Sequence, residues 1–134
     1  MTDEEAIQAV RQAVASCLQA PLEDVTLQSR LVDDLGMDSL DFVDLVFLLE
    51  GSFGVELQGS ELDNLTRLDP SSDEVMRGDY LALAVVEKAK PWVPALADVP
   101  DAELVTPAEL FGMVTVESIW TVMKRVVARG GRPA

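Results

Sequence analysis

The chain predicts an all-α bundle. Apolar residues recur at three- and four-residue steps in its first, second and last helical stretches. Helix openings carry capping residues, and their ends carry Gly or Pro. No apolar–polar alternation runs long enough to demand a sheet, although short strands remain compatible with the pattern. Apolar residues make up 49% of the 134 positions, enough for one packed domain.

The spacing of Ile7, Val10, Val14, Cys17 and Leu18 predicts a first helix over 3–18. Thr2 or Asp3 can cap it, Asp3, Glu4 and Glu5 suit its positive end, and Pro21 follows it. Cys17 is expected as a small buried hydrophobe. Residues 21–38 read as a long loop packed on the core through Val25, Leu27, Leu31, Val32 and Leu35, with a turn at Gly36. A second helix is expected over 39–50. Leu40, Val43, Val46 and Phe47 mark one side of it, and Phe42, Leu45 and Leu49 the adjoining sides. Asp41 and Asp44 are expected on its exposed face, and Gly51 and Gly54 bracket its end.

Beyond it, a turn of helix is expected over 60–65. A longer helix capped by Asp73 is expected to reach about Lys90, with Met76, Tyr80, Leu83 and Ala84 on its apolar face. Pro91, Pro94 and Pro100 punctuate the next segment. Thr106-Pro107-Ala108-Glu109 combines an N-cap, a first-turn proline and a capping box, opening a short helix that stops at Gly112. The last helix starts after Thr115 and carries Val116, Ile119, Trp120, Met123, Val126 and Val127. Lys124, Arg125 and Arg129 suit its negative end, and residues 130–134 are expected to fray.

Net charge is −14, and fifteen of the twenty-four acids, against three bases, fall in residues 1–69. That sign disfavours nucleic acid and favours basic protein surfaces. The absence of histidine removes the commonest general base and zinc ligand. Asp33, Asp34 and Asp38 fail the EF-hand spacing, and no metal is expected. No apolar run approaches the ~20 residues that span a bilayer, and no signal-peptide pattern opens the chain, so a cytoplasmic location without stable membrane insertion is expected.

Asp33-Asp34-Leu35-Gly36-Met37-Asp38-Ser39-Leu40-Asp41 is an acidic loop running into a helix, and it resembles the signature of acyl carrier proteins. The resemblance continues through Val43, Asp44, Leu45, Val46 and Glu50, then Phe53-Gly54-Val55-Glu56, and resumes at Thr115-Val116 and Ile119. It implies an acyl-carrier-like four-helix bundle with an additional inserted helical segment. The expected division of this single domain is a carrier core over 1–57 and 105–129, an insertion over 58–104 placed before the third helix, and a frayed tail over 130–134. The 47-residue insertion departs from the family pattern and marks an atypical, specialised member.

The resemblance further implies that Ser39, flanked by Asp38 and Leu40, bears a covalent 4′-phosphopantetheine arm derived from coenzyme A. The competing role for Ser39 is that of a plain helix cap. A non-enzymatic acyl carrier is implied, holding thioester intermediates for enzymes of fatty acid, lipid or polyketide-type synthesis. Its expected partners are a holo-carrier synthase (phosphopantetheinyl transferase) and acyl-transferring and chain-extending enzymes with basic docking patches, and the protein is expected to be monomeric. Met37, Asp41, Asp44, Phe47 and Glu50 are docking candidates, Met37 being expected exposed and Phe47 being equally compatible with the core. Val43, Val46, Leu49, Leu65, Trp120 and Met123 are candidates to line an acyl pocket, and equally plain core. The insertion is compatible with an enlarged or lidded acyl cavity, a docking element or a stabilising flap. A peptidyl or aminoacyl carrier of a nonribosomal pathway, or an unmodified helical adaptor, are the alternatives.

Overall fold

In the computed structural model, residues 2–57, 60 and 71–128 are described. The helix α1 (Asp3–Leu18) opens on a capping box in which the Thr2 hydroxyl accepts the Glu5 N–H and the Glu5 carboxylate reaches back to the Thr2 N–H. That contact holds the Glu5 carboxyl below its ordinary pKa. α1 closes on Gln19, whose left-handed backbone (φ 52°) lets its N–H reach carbonyls of the last turn.

The loop behind α1 is tied to it by Arg11. Its Nε donates to the Val25 carbonyl at 2.6 Å and its Nη2 to the Leu22 carbonyl at 3.0 Å, across a 3-10 turn over Leu22–Asp24. As expected, the loop packs on the core, burying Val25 and Leu31, with Leu27 and Leu35 half-buried against it; against expectation, Met37 is buried too.

The helix α2 (Ser39–Phe53) packs against α1. It runs one turn past the expected end at Glu50. Gly51 is helical, and Gly54, at φ +64°, makes the C-cap. The fold selects among its apolar sides. Phe42, Leu45 and Leu49 face the core, whereas Leu40 is 75% exposed and Phe47 67% exposed. The 42/45/49 spacing is itself helical, and rotating α2 this way buries its bulkiest seam.

The expected helix over 73–90 is replaced by two elements. Strands β1 (Met76–Arg77) and β2 (Tyr80–Leu81) pair antiparallel around Gly78-Asp79, and α3 (Leu83–Ala89) follows. Gly78 adopts φ +66°, which suits a tight hairpin and interrupts any helix there. Ser72, rather than Asp73, supplies the side-chain acceptor at the start of this segment, bonding the Glu74 N–H. A second 3-10 turn over Pro94–Asp98 packs on α4 (Pro107–Met113). The expected helix over 60–65 lies, except for Ser60, outside the described residues, as does the tail over 130–134.

α4 opens on the expected Thr106–Glu109 capping box with Pro107 in its first turn, and it continues through Gly112 to Met113. α5 (Val116–Ala128) packs on α1 and buries Val116, Ile119, Val122, Met123 and Val126. Side chains of α1, α2, α4 and α5 share one buried cluster with Leu81, Val86, Trp92, Val93, Leu96 and Val105. The described part of the molecule is therefore a helical fold carrying one two-stranded hairpin.

Candidate functional site

The candidate site is the junction where the acidic loop enters α2. Two sets of backbone bonds hold the loop. Residues 27–31 lie alongside the α4–α5 corner: the Leu31 N–H donates to the Val114 carbonyl at 3.1 Å, and the N–H groups of Val116 and Glu117 donate to the carbonyls of Ser29 and Leu27, each at 3.0 Å. Residues 30–37 then coil on themselves. The Gly36 N–H bonds the Val32 carbonyl, and the Met37 N–H bonds the Leu31 carbonyl at 2.9 Å. Gly36 takes φ +74°, a conformation a side chain would oppose. The Asp34 carboxylate accepts the Arg30 N–H at 2.8 Å. An exposed Arg30–Asp33 ion pair adds little. Asp33 lies over Gly112, 3.6 Å from where a Cβ would sit, so the loop also rests on α4.

Asp38 is the N-cap of α2. Its Oδ1 accepts the Asp41 N–H at 2.8 Å, and the Asp41 carboxylate accepts the Asp38 N–H at 3.2 Å. Ser39 is the first helical residue. Capping therefore falls to Asp38 and does not account for the serine. Asp38 and Leu40, on either side of it, are exposed, which puts the junction at the surface. Free amides of the first turn of a helix favour an anion nearby.

The structure divides the remaining candidates. Met37 is 3% exposed and belongs to the core, which overturns its expected exposure: the coil of the loop, closed by the Met37–Leu31 backbone bond, turns it inward. Phe47 is outward, which settles its two readings against the core, and Asp44 is exposed near it. Asp41 is half-buried and engaged in the capping box rather than fully on the exposed face. Glu50 is also half-buried, and its carboxylate accepts the Leu57 N–H at 2.9 Å, so it anchors the chain leaving α2.

Among the pocket candidates, Leu49 and Met123 are fully buried, Val46 and Trp120 are half-buried, Val43 is 40% exposed, and Leu65 lies outside the described residues. Val43 therefore faces outward rather than into the bundle. Lys124 Nζ sits 3.7 Å from the centroid of the Trp120 ring. The Trp120 Nε1 is buried without a partner among the described residues.

Sequence reasoning missed two features. Exposed Leu48 joins Phe47 beside Asp44, a position hidden in the sequence because α2 is apolar on nearly every side. Cys17 is half-buried rather than buried, and its thiol donates to the Asp41 carbonyl at 3.0 Å. Burial, reinforced by the carboxylates of Asp41, Asp44 and Asp38, pushes this thiol up to about 11.

Comparison with known proteins bears on this junction. The phosphopantetheine attachment site family matches residues 8–69, which contain most of α1 and all of the loop and α2. The acyl carrier protein of Campylobacter hominis is 41% identical over 61 residues, spanning 46% of this chain and 77% of the relative. That of Petrotoga mobilis is 33% identical over 69 residues (52% and 81%), and that of Saccharopolyspora erythraea 38% over 65 residues (48% and 68%). No solved structure matches. The family match spans the capped junction, and the chain belongs to the acyl carrier protein family, whose members are carriers rather than catalysts and bear a covalently attached 4′-phosphopantetheine.

Proposed function

We propose that the hydroxyl of Ser39 bears the phosphopantetheine arm, and that the protein holds acyl intermediates as thioesters on it for enzymes of fatty acid, lipid or polyketide-type synthesis. One observation carries this reading: Asp38 fills the cap of α2, leaving a serine at the first helical position of a surface junction within the family match. Bound there, the arm supplies a thiol on a flexible tether. The chain's own residues anchor, orient and present it.

Asp44, Phe47, Leu48 and Leu40 are the exposed residues of α2 that favour a partner with a basic rim and an apolar centre. Met37 has no part in this surface, and Glu50 contributes through the geometry of the helix end. Each exposed ion pair adds only ~0.2–1 kcal/mol, so docking is weak and quickly reversed, as repeated visits to several enzymes require. Residues 58–104 are read as an insertion in a carrier core of 1–57 and 105–129. The shared burial of Trp92, Val93 and Leu96 with the helices supports a stabilising flap built into that core.

Intact-mass measurement after incubation with coenzyme A and a phosphopantetheinyl transferase tests the attachment. The expected outcome is a gain of one arm, lost in Ser39→Ala while that variant keeps its helical circular dichroism. A gain that survives the substitution moves the site elsewhere. No gain in the unsubstituted protein supports an unmodified adaptor. Transfer of aminoacyl but not acyl groups onto the arm supports a nonribosomal carrier.

A further inference from the structure

The buried seam of α2 begins three residues past Ser39, at Phe42. Phe42 is 2% exposed. Its ring meets that of Phe111 in α4 edge-to-face, with centroids 5.8 Å apart and planes at 84°. This is a favourable aromatic geometry, and it joins α2 to α4. Met37, two residues before Ser39, is buried as well. Further along the same seam, Leu45 and Leu49 are fully buried, and the cluster they share includes Leu110, Ile119 and Met123. An acyl chain passing from Ser39 along this buried seam would meet these two rings before it reached the fully buried Leu45 and Leu49.

We infer that Phe42 and Phe111 form a gate that keeps straight acyl chains out of the bundle, so that the cargo rides outside it. This inference rests on Ser39 bearing the arm. The gate sets specificity toward short or polar-substituted acyl groups, which lose little by staying in water. A long alkyl chain left outside would expose every methylene. Phe111 belongs to the gate through position: it is half-buried on a seven-residue helix, and it can move only by shifting α4 or by changing rotamer.

The test uses octanoyl coenzyme A as donor for the transferase, which installs arm and chain together on the full-length protein. Intact mass first establishes loading. Each octanoyl form is then compared with its own unacylated holo form by thermal melting, and with octanoyl coenzyme A by the rate of thioester cleavage in hydroxylamine.

In the unsubstituted protein, acylation is expected to leave the melting temperature unchanged, and cleavage is expected to match the free thioester. In Phe42→Ala, and separately in Phe111→Ala, acylation is expected to raise the melting temperature and to slow cleavage about tenfold, as sheltering of two or so methylenes would do. Phe42→Leu, which keeps the core filled, serves if the alanine variant fails to fold. A protected thioester in the unsubstituted protein overturns the gate. So does an unprotected one in all the variants. If no arm is gained at all, the attachment reading falls first and takes the gate with it, an outcome that the mass alone identifies.

Discussion

Single residues divide the site's work. Asp38 caps α2 and Ser39 begins it, a split visible in the sequence only as two adjacent polar residues. Cys17 has a chemical role unlike that expected of a buried hydrophobe. Its thiol is held by the Asp41 carbonyl beneath the acidic junction and is raised from 9.0 to about 11. The unfolded thiol ionises first, so this group leaves stability unchanged below about pH 9 and diminishes it as pH rises from 9 to 11. At pH 8, alkylation of Cys17 by iodoacetamide in the arm-free protein is expected to run roughly a hundredfold slower than that of a small thiol. Urea should restore the ordinary rate, and fast alkylation of the folded protein would contradict the raised value. Met37 was legible as apolar but not as buried, because its direction is set by the Met37–Leu31 bond and the coil of the loop.

At the scale of elements, helix starts were the most legible features. Thr2 with Glu5, and Thr106 with Glu109, are contacts between residues three apart, so the sequence contains both partners. α4 depends on its cap because seven residues form a poor helix alone. Thr106→Ala is expected to cost about 1 kcal/mol and to speed amide exchange in α4 more than in α1. Equal exchange in both helices would show that packing alone holds α4. Helix ends were less legible. α2 passes through Gly51 and stops at Gly54, because only the latter adopts the left-handed conformation. The segment 73–90 was misread because its apolar residues fit a helical period, whereas Gly78 turns the chain back and pairs Met76 with Leu81.

Across the whole molecule, charge and core pull against each other. The net charge of −14 is concentrated in the half that carries the site, and its self-repulsion opposes compaction. Melting temperature is expected to rise between 10 mM and several hundred mM salt, since screening shortens the Debye length from about 30 Å to below 8 Å. An unchanged melting temperature would remove repulsion from the stability of this protein. The opposing term is one buried cluster that unites α1, α2, α4 and α5 with Leu81, Val86, Trp92, Val93 and Leu96.

By itself the sequence determined the helical class, the caps, the acidic balance and the position of the serine in its loop, because each depends on neighbours a few residues apart. Tertiary packing decided which side of α2 faces inward, the exposure of Phe47 and burial of Met37, and the meeting of Phe42 with Phe111 across 69 residues of chain. Apolar side chains surround α2, and only the shape of the surrounding core selects which of them leave water.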